Sequence, residues 1–457
     1  MNPLKWSSVA AVIALSLLIS SSAFAAPVKL AANVTFTGEK KGDSAGYQVA
    51  WGDLNGDGID DAIIGAAFSG VGGQESGEVY VVYGPVKHDL NLKDADAHLH
   101  TAAAGDYVGE GPIGVADING DGADDLLIGA PGSLVAAQPG SPGKVGEVFL
   151  VYGGHRLRGD MNLSKTADAR FTGIQMEEWL GFGVSSLGDL DGDGCEDVLI
   201  GAPATAGFTG AAYLFYGAPK KLSGDIGVGK ADATFVGTHP DELFGYQAAG
   251  SDLNADGHGD VFISSLPIEN PSTVNIFYGS GRISGVVPEV TADANLIAPA
   301  SDYFVGSQLT TGDVTGDGKS DLMAGVGVSQ NVLDTPTTYV IAGGETVSGI
   351  QSLSTAATTT ITGAGDAVAT GDFNGDGYVD LASSSAASST TFVFLGPIKG
   401  QSVATTRARF VFRGPKSSQA GHSVAMGQAT TDHRGDVAIG APGGAGRVFV
   451  AKGRPSK

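Results

Sequence analysis

Six nine-residue segments of this chain repeat one spacing of Asp, Asn and Gly: DLNGDGIDD from Asp53, DINGDGADD from Asp117, DLDGDGCED from Asp189, DLNADGHGD from Asp252, DVTGDGKSD from Asp313 and DFNGDGYVD from Asp372. Side chains at positions 1, 3, 5 and 9 and the backbone carbonyl at position 7 can converge in such a loop. A hard cation such as calcium takes six to eight oxygens of this kind. The expected donors are Asp53, Asn55, Asp57, the Ile59 carbonyl and Asp61 in the first loop, and Asp117, Asn119, Asp121, the Ala123 carbonyl and Asp125 in the second. The third offers Asp189, Asp191, Asp193, the Cys195 carbonyl and Asp197, and the fourth Asp252, Asn254, Asp256, the His258 carbonyl and Asp260. Asp313, Thr315, Asp317, the Lys319 carbonyl and Asp321 serve the fifth loop, and Asp372, Asn374, Asp376, the Tyr378 carbonyl and Asp380 the sixth.

Glycine at position 6 (Gly58, Gly122, Gly194, Gly257, Gly318, Gly377) permits the left-handed turn that wraps the chain around an ion. An EF-hand would need Glu at position 12, which here is Ile64, Ile128, Ile200, Ile263, Ala324 or Ser383. Asp at position 9 supplies the missing carboxylate instead. Turn chemistry alone accounts for one such loop but poorly for six with a common spacing. Crowded carboxylates repel, so about six calcium ions are expected to stabilise the fold by mass action, with dissociation constants of about 10⁻⁴ to 10⁻³ M. The fifth loop, with Thr315 at position 3, is expected to be among the weaker, and the third carries an additional negative charge at Asp191. A seventh copy, QATTDHRGD from Gln428, keeps Asp436 but has lost the acids at its first positions.

The elements around each loop follow one pattern. A short run ending in Gly-Asp enters it, an apolar strand such as DAIIGAA or DVLIGAP leaves it, and an apolar-aromatic strand ending in Tyr-Gly follows, as at Gly84 and Gly217. Successive loops begin about 55 to 72 residues apart, which suits a four-stranded propeller blade. The expected fold is therefore an all-β, seven-bladed propeller of four-stranded antiparallel blades over residues 27–457. VTFTG at Val34 matches ARFTG at Ala169 and ATFVG at Ala233, and the chain ends near RVFVAKG, the strand that precedes such a segment. The N-terminal strand is thus expected to pair into the last blade and close the ring, removing an exposed edge.

Bulk properties agree with this reading. The chain has 72 Gly and 19 Pro, as frequent turns require, and its 42% hydrophobic content argues against a disordered acidic chain. The net charge of -23 argues against a nucleic-acid partner. Six calcium ions would add +12 to it. Cys195 is the only cysteine, so no intrachain disulfide can staple the fold. Residues 1–26, with Lys5, an apolar run from Val9 to Ile19 and small residues Ala23, Ala25 and Ala26, have the pattern of a cleaved signal peptide. The apolar run is too short for a bilayer-spanning anchor, so export to the periplasm, cell surface or medium, with no transmembrane segment after cleavage, is expected.

With these repeats in view, the chain resembles the FG-GAP repeat family, the seven-bladed propeller of integrin α-chain heads and of many exported bacterial proteins. Phe244-Gly245 and Leu180-Gly181 match the first half of the name, and Gly129 to Pro131, Gly201 to Pro203 and Gly440 to Pro442 match the second. The pattern departs at Ser264-Ser265, Gly325-Val326 and Ser383-Ser384. The resemblance implies metal loops on one face and partners on the other, reached by Ser69 to Ser76, Gly132 to Lys144 and Gly173 to Trp179, with Trp179 beside Glu177 and Glu178 the aromatic of interest. Packing between blades is the plain alternative for that Trp.

Other signals carry less. The Arg-Gly-Asp triplets at Arg158 to Asp160 and Arg434 to Asp436 read as an inter-strand turn and as part of the degenerate loop. Gly421-His422-Ser423 lacks the closing glycine of a nucleophile elbow, and the eight histidines show no zinc spacing. No catalytic motif emerges. The resemblance implies a monomeric binding or adhesion module for an extracellular glycan, matrix or protein ligand rather than an enzyme. A carbohydrate-active propeller, a polysaccharide lyase or hydrolase, is the alternative, and acid, His, Tyr or Arg groups at the channel mouth would favour it.

Overall fold

The computed structural model describes residues 26–132, 145–174, 178–267, 271–299, 305–326, 335–400 and 402–455. The expected signal peptide lies outside them except for Ala26, and so do most of the Gly132 to Lys144 loop and Glu177. Among the described residues no helix is long and apolar enough to cross a membrane.

Seven sheets follow one another along the chain. In the first, Gln48–Gly52 enters the Asp loop, Asp61–Ala66 leaves it, and Glu78–Val82 and Ala97–His100 continue the antiparallel meander. The strand that leaves each Asp loop is buried at every position, as in Asp125–Ala130 and Asp197–Ala202, because neighbouring blades cover both of its faces. Apolar packing accordingly sits at the blade junctions. Val34, Phe36, Trp51, Ile64, Tyr80 and Val448 join the first blade to the last, and Leu127, Phe171, Val184 and Tyr213 join the second to the third. Each such side chain contributes about 1.5–3 kcal/mol on burial, so stability is spread around the ring. The centre is a channel of about 520 Å³ lined by the first strands, among them Trp51, Val115, Ala249, Thr310, Thr370 and Met426.

The blades have five strands, not the four expected. The additional strand comes from the following repeat: Gly159–Asn162 runs parallel to Ala97–His100, Gly224–Gly227 to Ala169–Thr172, and Gly285–Pro288 to Ala233–Val236. These segments are short and half exposed, without the apolar alternation that marks a strand, and their role is to cover an outer edge that four strands would leave open. The first Arg-Gly-Asp triplet runs into one of them, with Gly159 and Asp160 in the added strand of the first blade rather than in an inter-strand turn.

The ring closes twice. Val34–Thr37 pairs antiparallel with Arg447–Ala451, Val34 opposite Val450, so the last blade takes its fourth strand from the start of the chain as expected. Val28–Leu30 adds a parallel fifth strand to the sixth blade against Phe410–Arg413.

The glycines of the FG and GAP positions meet between blades. A Cβ added to Gly129 would lie 2.0 Å from the Gly181 carbonyl oxygen, one added to Gly201 2.0 Å from that of Gly245, and one added to Gly440 2.2 Å from that of Gly46. Gly181 and Gly245 themselves hold φ of 85° and 86°, in the left-handed region. In the sixth blade Val368 pairs with Ser383 as Val49 pairs with Ile64 in the first, so the GAP glycine position is Ser384 and not Ser383. Counting from Asp372 gives the same register, since Ser383 stands at position 12 as Ile64 does in the first loop. The Ser384 hydroxyl donates to the Gly421 carbonyl at 2.6 Å, a polar substitute for the glycine contact.

Gly201→Ala is expected to cost roughly 1–3 kcal/mol by overpacking this contact. Gly227→Ala, whose Cβ meets nothing within 4 Å, is expected to leave stability unchanged or slightly raised. Paired chemical-denaturation curves check both.

Candidate functional site

The six Asp loops share one hydrogen-bond scaffold. The position-1 carboxylate accepts the N–H groups of positions 5 and 6, as Asp53 does from Asp57 at 2.9 Å and Gly58 at 2.6 Å, and the same pair recurs at Asp117, Asp189, Asp252, Asp313 and Asp372. The position-5 carboxylate accepts the N–H of position 7, as Asp57 does from Ile59 and Asp376 from Tyr378. All six position-6 glycines have φ between 82° and 89°. Position 4 is left-handed as well, a requirement that the metal spacing does not express, and Ala255 meets it at φ 59° where the other five loops use Gly.

Position 9 has a different role. Asp61, Asp125, Asp197, Asp260, Asp321 and Asp380 are fully buried. One oxygen of each accepts the N–H of the glycine just past the third strand of its blade, Gly84, Gly153, Gly217, Gly279, Gly343 or Gly396, at 2.8 to 2.9 Å. The other oxygen accepts an N–H near the start of the loop, from Leu54, Ile118, Leu190, Leu253, Thr315 or Phe373. Burial pushes Asp61, Asp197 and Asp380 up to about 7.

The remaining oxygens fit a hard cation. The carbonyls of Ile59, Ala123, Cys195, His258, Lys319 and Tyr378 accept no hydrogen bond among the described residues. Asn374 is buried with neither amide atom partnered, and the amides of Asn55 and Asn119 turn their nitrogens to Asp61 and Asp125, leaving their oxygens free. In the third loop Asp189, Asp191 and Asp197 bring carboxylate oxygens within 4.8 Å of one another. In the fifth, Thr315 donates to Asp321 at 3.3 Å. The seventh loop keeps the tie but only part of the scaffold: Asp436 accepts the Gly453 N–H at 2.9 Å, Asp432 at position 5 accepts the Arg434 N–H at 3.2 Å and pairs with its guanidinium, and His433 takes the left-handed position-6 conformation at φ 58°. Its Arg-Gly-Asp triplet is thus a structural element, with Asp436 fully buried.

At the end of the blades away from the Asp loops, the residues after the FG-type glycines stand just ahead of the strands that line the channel: Tyr47, Glu110, Phe182, Tyr246, Ser307, Asp366 and His422, with the Asp366 carboxylate accepting the Ala386 N–H at 2.7 Å. Tyr47 lies 4.5 Å from His422 and Phe182 4.8 Å from Tyr246, ring to ring. Phe68 extends one side through Tyr47 and Tyr107, and Trp179 and Phe208 extend the other from Phe182. Trp179 is half-buried in this array and Phe208 is exposed, so the Trp both packs and faces outward. Glu110 is 6% and Gln247 7% exposed, yet Glu110 Oε2 and Gln247 Oε1 have no hydrogen-bond partner. Burial pushes Glu110 up to about 8 and keeps His422 below its usual range.

The FG-GAP repeat family model matches residues 45–82, 113–151, 181–215 and 364–394, each spanning an FG-type glycine or the entering strand, a loop and the strands that leave it. The chain is an FG-GAP repeat propeller. It is 32% identical to integrin alpha pat-2 of Caenorhabditis elegans over 249 residues, 51% of this chain and 18% of that protein. It is 28% identical to integrin alpha-5 of Xenopus laevis over 49% of this chain and 20% of that protein. It is also 31% identical to phosphatidylinositol-glycan-specific phospholipase D of Rattus norvegicus over 45% of this chain and 24% of that protein. The chain therefore spans less than a quarter of the length of these relatives.

Two side-chain clusters of this FG-GAP propeller were not expected from its sequence. Glu39, Glu78 and His98 meet where the last blade joins the first, with His98 Nδ1 2.9 Å from Glu78. His239, Glu242 and Glu289 meet on the side of the fourth blade away from its Asp loop, and Glu289 is buried. A signal for the second existed. Glu289 occupies the start of the short turn where other repeats bury Leu92, Leu163, Val228 and Leu353.

Burial raises Glu110 to about 8, Glu289 to about 7 and Asp436 to about 6, so the folded state holds these protons at pH values where the unfolded chain has released them. Their contribution is fully present below about pH 4 and is lost as pH rises toward 8. In saturating calcium the unfolding free energy is expected to fall from pH 5 to pH 8.5, and Glu110→Gln is expected to flatten the upper part of that slope. Denaturation curves across this range check it.

Proposed function

We propose that the protein is an exported, calcium-loaded binding module, with up to six ions rigidifying one face and an extracellular ligand held at the aromatic mouth of the other. The ions supply charge that ties positions 1, 3, 5, 7 and 9 of each loop together. The leader pattern at the N-terminus supports export, and similarity to integrin α chains supports adhesion.

The observation that carries the ligand reading is the mouth itself. Tyr47, Phe182, Tyr246, Trp179 and Phe208 offer ring faces, and two buried acceptors beside them have no partner. Ring faces take the apolar faces of sugars, and the Gln247 amide oxygen and the protonated Glu110 carboxyl suit their hydroxyls. The net charge of -23 disfavours a polyanion. A neutral glycan, or a matrix polymer that carries one, fits best. His422, Tyr47, Tyr246, Glu110 and Asp366 are also groups that a carbohydrate-active enzyme could use, which gives the catalytic reading a place at the same mouth.

The test is a glycan and matrix array probed in calcium and in chelator, with product analysis of every hit. Calcium-dependent retention without product is expected, together with at least a tenfold loss on Tyr246→Ala or Phe208→Ala in folded protein. Product release selects the enzyme. An empty array with calcium-loaded protein removes the glycan reading and directs attention to a protein partner. A melting temperature that does not differ between calcium and chelator removes the metal reading.

A further inference from the structure

Each of the first four blades ends its third strand with a tyrosine, and each tyrosine clamps the next blade. Tyr83 Oη accepts the Leu157 N–H at 2.5 Å, Tyr152 that of Leu222 at 2.6 Å, Tyr216 that of Ile283 at 2.6 Å and Tyr278 that of Val347 at 2.8 Å. The residue just before the clamped N–H is Arg156, Lys221 or Arg282 in the first three clamps and Thr346 in the fourth. The three cations lie over the tyrosine rings, 4.8, 4.6 and 4.6 Å from the ring centres. They also reach back to the Asp loop of the preceding blade at position 5: Arg156 to Asp57 at 3.5 Å, Lys221 to Asp121 at 3.3 Å and Arg282 to Asp193 at 3.1 Å. Arg282 Nε additionally pairs with Asp191 at position 3 of the most acidic loop.

The fourth loop has the clamp without the cation. Among the described residues no Lys or Arg pairs with Asp252, Asp256 or Asp260, and Lys319 passes along Gly344 instead.

Resting on the calcium reading above, we propose that Arg156, Lys221 and Arg282 are resident counter-cations of the first three loops, supplied by the next blade, which weaken calcium binding there and leave the fourth loop to bind without such competition. A positive charge beside position 5 offsets carboxylate repulsion when no ion is bound and repels a divalent ion when it arrives. At the third loop Arg282 engages a carboxylate oxygen that the ion would take, so the effect should be largest there. The tyrosine ring lies against each of these half-exposed cations and helps to keep it beside the loop.

Position-6 amides make the loops individually visible, because Gly58, Gly122, Gly194 and Gly257 each donate to their own position-1 Asp. The experiment is a calcium titration of the full mature chain with glycine-selective ¹⁵N labelling, following these amides in the wild type, Arg282→Gln and Thr346→Arg. Arg282→Gln should lower the calcium midpoint of Gly194 at least threefold and leave that of Gly257 unchanged, whereas Thr346→Arg should raise that of Gly257 at least threefold. A Gly194 midpoint unchanged or raised in Arg282→Gln, with the amide still responding to calcium, overturns the counter-cation role while sparing the calcium reading. If none of these amides responds in the wild type, the calcium reading falls and this proposal falls with it.

Discussion

A buried carboxylate at position 9 of every loop is the constraint on which each blade depends. It accepts one N–H from the glycine just past the third strand, and in the six intact loops another near the loop's own start, so two separate turns are fastened to the first residue of the second strand. Asp436 shows that the tie is separable from the full donor set, since the seventh loop has Gln428 and Thr430 at positions 1 and 3 and still keeps this carboxylate fully buried with its glycine bond intact. An ion bound in any of the other six loops would therefore add to a scaffold that hydrogen bonds already define. Burying these carboxyls carries a desolvation cost, visible as their raised pKa values, and the two backbone donors offset part of it.

Contacts between blades turn seven sheets into one ring. Glycine meets glycine from one blade to the next on the face of the mouth, and on the loop face position-8 amides donate to the preceding loop, as Asp124 N does to the Asp53 carbonyl and Asp60 N to that of Gln428. The fifth strand adds a third link at the outer edge, because every repeat lends a segment to the sheet before it. A repeat therefore lacks its outer cover without its successor: Val28–Leu30 supplies it for the sixth blade, and Leu90–Asn91 of the first repeat supplies it for the seventh by pairing parallel with Val34–Thr37.

Loops, repeat count and ring closure were legible because each is written in residue types with narrow physical uses: Asp at oxygen-donor spacing, Gly at φ near 85°, and an apolar strand of matching kind at each end of the chain. The fifth strands were not, because segments such as GDMN and GDIG become strands only when a neighbouring edge is presented to them. The serine run Ser383 to Ser385 blurs the motif in the sixth blade, but the count from Asp372 already assigns Ser384 to the glycine position, where it meets the Gly421 carbonyl. The mouth was hidden for a different reason. Tyr47, Glu110, Phe182, Tyr246 and His422 are separated by whole repeats, and only ring closure brings Tyr47 to His422.

The two faces divide the work in a way that follows from strand direction. Chain reversals after the first strand crowd at one end of the channel, where short loops of fixed length carry acid and backbone amides. Reversals after the second strand, free to vary in length, gather at the other end around the residues that follow the FG-type glycines. Those glycines cannot accept a side chain without striking the neighbouring blade, so the residue next to each is held in position by a backbone that has no room to move. Aromatic rings displayed on such a frame have little further freedom to lose on any contact they make.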